Sequence, residues 1–209
     1  MLDSSNQVTQ SSLSRDWTAY YSAVEGRPPR DTLLNALDQF KAESIASGFA
    51  VDLGCGDGRD TVELLRRGWQ VLAIDGEPEA IARLHDRFQH NQHNLLTRID
   101  CFETLTLPVS VDLINASFCL PFCPPEHFST LWQTMVRSLR QGGRFCGQLI
   151  GELDSWSTYP NVNYHTRHQI DTLLEPFNVE LLTEESHPGK TAVGEEKYWH
   201  LFHIVAQKR

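Results

Sequence analysis

The chain has 209 residues, with 18 Lys and Arg against 27 Asp and Glu, so its formal charge is −9 and its isoelectric point is near 5.4. That length suits one domain with decorations and a core that needs no disulfide or metal staple, and 40% hydrophobic with 22% charged residues excludes a disordered or fibrous chain. The acidic balance argues against a protein that tracks nucleic-acid phosphates, which would carry a basic stripe, but leaves open a small anionic substrate held by one or two arginines.

Met1–Ser14 is rich in Ser, Gln and Asn and reads as a loose arm, without the features of a signal peptide or lipid anchor. Arg15–Glu25 carries Trp17, Tyr20 and Tyr21, and Gly26-Arg27-Pro28-Pro29 breaks the chain after them. The expected division is an arm and lid over residues 1–28 and a single domain over 29–209. A helix is predicted from Pro29 to Ser44, with prolines in its first turn and Leu33, Leu34, Ala36, Leu37 and Phe40 largely on one face. Phe49–Leu53 is a short apolar run ending in glycines, the pattern of a buried strand. Next come a helix over Arg59–Arg67 with Val62 and Leu65 inward, a strand over Trp69–Ile74 ending at Asp75, and a helix over Glu77–Phe88. Strands are predicted at Leu95–Ile99, ending at Asp100, and at Val111–Ala116. Glu126–Leu139 reads as a helix with Phe128, Leu131, Trp132, Met135 and Leu139 inward, closed by Gln141-Gly142-Gly143 as cap and turn. A strand over Arg144–Ile150, a helix over Arg167–Leu174 and a strand over Val179–Leu182 follow. The last strand, Tyr198–Ala206, is expected to pair antiparallel with the one before it.

This alternation predicts an α/β fold: a mostly parallel sheet covered by helices on both faces. Ligands of such sheets sit beyond the carboxyl ends of the strands, which brings Asp52–Gly58, Asp75, Asp100 and Asn115–Phe118 to one crevice. No apolar run approaches the roughly 18 residues needed to span a bilayer. Five cysteines at irregular spacing make no disulfide framework, so a reducing cytoplasm is the expected location. Cys119, Cys123 and His127 offer three zinc ligands with no evident fourth; the cysteines read instead as small buried apolar residues, and no metal is expected.

The informative run is Val51-Asp52-Leu53-Gly54-Cys55-Gly56-Asp57-Gly58-Arg59-Asp60. It departs from the dinucleotide fingerprint, because Arg59 stands where that pattern needs a glycine. Asp57 also sets a carboxylate where a pyrophosphate would dock, against the anion preference of a helix N-terminus. A phosphate loop ending in Gly-Lys-Ser/Thr is absent. A ligand without phosphates and with a cationic centre fits better, and S-adenosylmethionine is such a ligand. Asp52 can face its ammonium, Gly54, Gly56 and Gly58 can let the backbone approach it, and Asp75 can accept both ribose hydroxyls. Asp100 can accept from the adenine amino group, with Cys101 and Phe102 over the ring.

At these residues the sequence resembles the class I S-adenosylmethionine-dependent methyltransferases. Asp52-Leu-Gly-Cys-Gly-Asp-Gly58 is similar to their first motif and Asp75 to the acidic second. Ile99-Asp100-Cys-Phe102 resembles the adenine motif, Asp112-Leu-Ile-Asn115-Ala-Ser-Phe118 the fourth, and Leu139-Arg-Gln-Gly-Gly143 the turn before strand five. Within the class, Gly56–Asp60 and Gly68–Asp75 look most like the tellurite-resistance and thiopurine-type small-molecule enzymes. The resemblance covers about residues 30–206. It implies a Rossmann-like seven-stranded sheet of order 3-2-1-4-5-7-6 with strand seven antiparallel, S-adenosylmethionine as cofactor and S-adenosylhomocysteine as product. The implied cofactor site is Asp52, Gly54, Cys55, Gly56, Gly58, Asp75, Gly76, Asp100, Cys101, Phe102, Asn115, Ala116 and Phe118, with Trp17, Tyr21 and Arg30 from the lid. Each residue also has a plainer reading: turn glycines, strand-end acids, or ordinary loop and core positions for Asn115 and Phe118.

Methyl transfer is an in-line displacement in which the cofactor carries the hard chemistry and the protein aligns the reactants and excludes water. A general base is needed only when the nucleophile holds a proton at the working pH. Three segments can roof the crevice: the aromatic stretch before Arg30, the proline-rich Cys119–Pro125, and the long loop Gly151–His165. The last is expected to shape the acceptor pocket. Asp154, Tyr164 and His165 are the acid–base candidates, although His165 also reads as the residue before the N-cap Thr166. Trp199, His200 and His203 read as structural, and Glu184, Glu185, Glu195 and Glu196 as a solvated hairpin face. The expected function is methyl transfer to a small-molecule acceptor, with no nucleic-acid or membrane partner. The alternatives are a protein or peptide methyltransferase, a non-catalytic binder of the cofactor, and a nicotinamide oxidoreductase.

Overall fold

Ala50, Val51 and Leu53, together with the acid Asp52, are fully or almost fully buried at the centre of the sheet. A central parallel strand is covered on both faces, so both sides of its pleat are apolar. The computed structural model describes Leu13, residues 15–88 and residues 92–209; apart from Leu13, the predicted arm lies outside the described residues. The strands are β1 (Phe49–Leu53), β2 (Gln70–Asp75), β3 (Leu95–Ile99), β4 (Val111–Ala116), β5 (Leu139–Ile150), β6 (Phe177–Lys190) and β7 (Glu196–Lys208). Their order is β3-β2-β1-β4-β5-β7-β6, and β7 runs antiparallel to both of its neighbours, as the resemblance implied.

The helices are α1 (Trp17–Val24), α2 (Asp31–Ala42), α3 (Arg59–Arg66), α4 (Pro78–Arg87), α5 (Pro125–Ser138) and α6 (Arg167–Leu173). One apolar layer joins α5 and α6 to Val51, Leu72, Ile114 and Phe145; the other joins α2, α3 and α4 to Ala50, Val71, Leu113 and Cys146. Successive strand residues thus serve opposite layers, which is the period of two in a sheet. In α5, Phe128, Leu131, Trp132 and Met135 are buried, the one-face spacing of a surface helix.

Three expectations change. Gln141-Gly142-Gly143 does not cap a helix: α5 stops at Ser138, Leu139 pairs at once with Val111, and the register then shifts so that Arg144 pairs with Leu113. A Cβ on Gly143 would lie 3.0 Å from three backbone oxygens, so these residues form a bulge inside β5. β6 and β7 are much longer than predicted, because their outer halves are polar and carry no apolar run to read. In α3 the buried residues are Asp60, Thr61, Leu64 and Leu65, while Val62 is half-buried, because the helix turns its polar first turn toward the site.

Among the described residues no helix is long and apolar enough to cross a membrane. Among them, too, no group of three or more His, Cys, Asp or Glu side chains is arranged to hold a metal. Cys119 and Cys123 are buried thiols.

Candidate active site

β1 leaves the sheet through Gly54, Gly56 and Gly58, with φ of 60°, 55° and 88°, before α3 begins. Left-handed backbone at three of five positions selects glycine. The further expectation, that each glycine clears space for a ligand, needs correction at two of them. A Cβ on Gly54 would lie 2.3 Å from Cys119 Cβ, and one on Gly58 would lie 2.3 Å from Leu84 Cδ1, so protein fills both places.

At the end of β2, the Asp75 carboxylate accepts from the backbone N–H of Gly56 at 2.8 Å and of Glu77 at 2.9 Å. Burial raises its pKa, and those two bonds pull it back. Asp75 thereby holds the glycine loop against β2 while it faces the crevice. Asp52 sits lower and is 1% exposed. It accepts from the Thr61 hydroxyl and, at 2.8 Å, from Asn115 Nδ2, which also reaches Asp60 at 3.1 Å. Burial first, and the Asp60 charge second, push Asp52 up to about 7. Asp57 is not a free carboxylate: Arg87 Nη1 pairs with it at 2.6 Å. Its charge therefore carries less of the argument against a pyrophosphate than the sequence indicated.

A cavity of about 430 Å³ lies over the carboxyl ends of the strands. Toward β2 and β3 it is lined by Asp75, Gly76, Glu77, Asp100, Cys101 and Phe102; toward β5 and β7 by Ile150, Trp156, Trp199 and Leu201. Gly54, Gly56, Phe118 and Cys119 lie between, and α1 contributes Trp17, Tyr20, Tyr21 and Val24. The helix is capped by Asp16 through Ala19 N–H at 2.9 Å and tied to α4 by Thr18 Oγ1 on Glu79 at 2.5 Å. Trp17 packs edge-on to Phe122 at 5.2 Å. Beside the cavity a recess of about 50 Å³ is lined by Asp52, Cys55, Asp60, Arg30 and Arg59. The Arg30 guanidinium lies 4.2 Å over the Phe118 ring, and Phe118 itself holds a φ of 57°, uncommon for a bulky residue. Arg59 Nη1 is buried without a partner among the described residues.

Of the residues anticipated for the cofactor, Trp17, Tyr21, Arg30, Gly54, Gly56, Asp75, Gly76, Asp100, Cys101, Phe102 and Phe118 line the cavity, and Asp52 and Cys55 line the recess. Gly58, Asn115 and Ala116 line neither: Gly58 caps α3, Asn115 bridges two buried acids, and Ala116 is core.

The three acid–base candidates lie elsewhere. Asp154 is 1% exposed, accepts from Trp156 N–H at 2.9 Å and from His200 N–H at 3.1 Å, and pairs with Lys197. His165 is 6% exposed with its ring 4.5 Å from that of Phe128, and burial lowers its pKa to about 4. Tyr164 is 44% exposed. None of the three lines the cavity, and their loop contributes Trp156 instead.

Two readings of the hairpin are corrected. Trp199, expected to be structural, lines the cavity, and so does Glu185, expected on a solvated face. Glu185 Oε1 lies 3.0 Å from His203 Nε2, and Glu184 Oε1 lies 3.0 Å from His200 Nε2. Arg15, Phe122, His187 and Lys190 also line the cavity and were not anticipated in the cofactor or catalytic sets. The available signal was the period of two that puts Trp199 and Leu201 on one face of β7.

The methyltransferase-domain family matches residues 50–143, the part of the chain that carries the glycine loop, Asp75 and Asp100. A Staphylococcus carnosus protein described as an uncharacterized methyltransferase is 24% identical over 177 residues, 82% of each chain. Among solved structures, TehB from Haemophilus influenzae has a TM-score of 0.73 at 16% identity, covering 93% of this chain and 68% of that one. A second is 1,6-didemethyltoxoflavin-N1-methyltransferase from Burkholderia thailandensis, with 1,6-didemethyltoxoflavin and S-adenosylhomocysteine bound. Its TM-score is 0.63 at 20% identity, over 91% and 84% of the two chains. The domain match, on a sheet with this strand order and with acids at its strand ends, supports an S-adenosylmethionine-dependent methyltransferase, and the solved structures share its fold.

Proposed function

We propose that this enzyme methylates a small molecule held between the cofactor and the β6–β7 hairpin, under α1 as a lid. The observation that carries the reading is the aromatic end of the cavity, where Trp17, Phe122, Trp156 and Trp199 enclose a space too small for a folded partner.

The residues present fit the cofactor. Asp75 keeps lone pairs free toward the cavity for the two ribose hydroxyls, since each of its oxygens accepts one backbone N–H. Asp100 Oδ1 is held by Cys101 N–H at 2.9 Å and Thr104 Oγ1 at 3.0 Å, in place for an amino group at the adenine end. The recess sets two arginines, Arg30 and Arg59, beside two buried acids, Asp52 and Asp60, a charge pattern complementary to an amino-acid zwitterion. An ammonium arriving there would favour the ionised form of Asp52.

When bound, S-adenosylmethionine would supply an electrophilic methyl carbon on a positively charged sulfur, open to in-line displacement by an acceptor's lone pair. Phe118 and Cys119 lie between the two ends of the cavity and limit how the acceptor can approach. Trp17 and Tyr21 from α1 line the cavity and would shield the bound cofactor from water.

Calorimetry with S-adenosylmethionine, S-adenosylhomocysteine and NAD tests the cofactor half. The first two should bind at micromolar level and NAD should not. Labelled methyl transfer to small thiols, phenols and selenium or tellurium oxyanions, against peptides, tests the acceptor half. Label that enters only peptides would replace the small-molecule reading.

A further inference from the structure

An arginine with unpaired donors lines the aromatic end of the cavity. The Arg15 guanidinium carbon lies 3.9 Å from the centre of the Trp156 ring and 5.0 Å from that of Phe122. Lys197 Nζ lies 3.6 Å from the centre of the same Trp156 ring. The buried carboxylate of Asp154 is paired with Lys197. Arg15 Nε and Nη2 are buried and find no hydrogen-bond acceptor among the described residues. Burial works against the charge and lowers the pKa, and Tyr20, Glu195 and Asp154 offset that in part.

A guanidinium held by rings and lacking an acceptor is arranged to receive one. Its planar edge matches a carboxylate or similar oxyanion bidentately, which a lysine would not do as well. Trp156, Trp199 and Phe122 line the same cavity and offer aromatic surface to a flat ring. A cationic acceptor would be repelled, and a neutral one would leave the donors unpaired, the arrangement that discriminates most strongly between ligands. We infer that the acceptor is a planar ring compound bearing an oxyanion group, with the oxyanion on Arg15 and the ring among Trp156, Phe122 and Trp199. This rests on the small-molecule reading above.

The test uses full-length protein saturated with S-adenosylhomocysteine, whose own binding is measured first. Four probes are then titrated by calorimetry: 2-naphthoate, its matched amide 2-naphthamide, acetate and inorganic phosphate. The naphthoate should bind roughly tenfold or more tightly than the amide, the difference expected for a charge-assisted hydrogen-bonded pair. It should also exceed acetate and phosphate by a similar factor. Arg15→Gln should abolish the acid-over-amide preference and retain S-adenosylhomocysteine binding, and Arg15→Lys should keep part of it. Equal binding of acid and amide, no binding of the acid, or an unchanged preference in Arg15→Gln would each overturn the inference. Phosphate binding as tightly as naphthoate would overturn its ring half. Should Arg15→Gln fail to fold, the acid-against-amide comparison on the natural chain still decides. Absence of S-adenosylhomocysteine binding defeats the methyltransferase reading itself, whereas its presence without an acid preference defeats only the acceptor.

Discussion

Lys197 on β7 and Asp154 in the loop after β5 form an ion pair whose side chains are 1% and 0% exposed. Asp154 caps the short turn Ser155–Thr158, and Lys197 lies between the rings of Trp156 and Trp199, 3.6 and 4.5 Å from their centres. The pair therefore ties the loop after β5 to the hairpin and holds Lys197 against both tryptophans of the cavity. Removing one partner strands the other charge in the interior. Lys197→Met should destabilise the fold by about 3–5 kcal/mol, and adding Asp154→Leu should recover much of the loss. Urea unfolding of the single and double variants measures both.

Acid should weaken the fold through His165. Its folded pKa is lowered by burial from the ordinary 6.5 to about 4. Between those values the unfolded chain binds a proton that the folded chain refuses, so stability rises with pH there. The contribution is complete above pH 6.5 and is lost as pH falls toward 4, by about 3 kcal/mol in all. Denaturation midpoints followed from pH 7 to pH 4 should lose part of their slope in His165→Leu. An unchanged slope would assign the acid sensitivity to other groups.

Gly58 is a packing glycine. Gly58→Ala forces a Cβ to 2.3 Å from Leu84 Cδ1 at a φ of 88°. The expected loss is about 1–3 kcal/mol from overpacking, with a further strain contribution from the left-handed backbone. Leu84→Ala in the same chain should relieve the overpacking part and not the strain, so the double variant should unfold later than additivity predicts. Cofactor affinity of the folded fraction should stay close to that of the natural chain, which separates packing from ligand approach.

Asp75→Ala should weaken S-adenosylmethionine by roughly 1–3 kcal/mol, as for leaving hydrogen-bonded groups unpaired. It also frees the Gly56 and Glu77 N–H groups, so the glycine loop should show faster amide exchange. Unchanged affinity by calorimetry would remove Asp75 from the cofactor site.

Trp17 joins α1 to Phe122, with ring centres 5.2 Å apart. Its removal should loosen α1 over the cavity and leave the sheet intact. Trp17→Ala should speed cofactor dissociation by roughly fivefold, equivalent to an aromatic contact of about 1 kcal/mol. Stopped-flow release and a thermal melt measured together distinguish a lid from a piece of core.

What the amino-acid sequence determined by itself was the ladder of strands and helices, the glycine turn after β1 and the acids at the ends of β2 and β3. These are local features: a period of two or of 3.6, a left-handed turn and a strand end are written within a few neighbouring residues. The tertiary structure decided which of those residues face the same space. Asp52 and Asp75 look alike in sequence, yet one lies beneath the loop, hydrogen-bonded to Thr61 and Asn115, and the other faces the cavity. Asp154 and His165 sit in a loop that reads as catalytic, but a lysine from β7 and the Phe128 ring of α5 draw them inward. Trp199 and Glu185 reach the cavity because the hairpin extends well past its apolar half, held by cross-strand pairing that continues to Lys190 and Glu196. Burial and charge pairing depend on partners far away along the chain, and only folding brings those partners together.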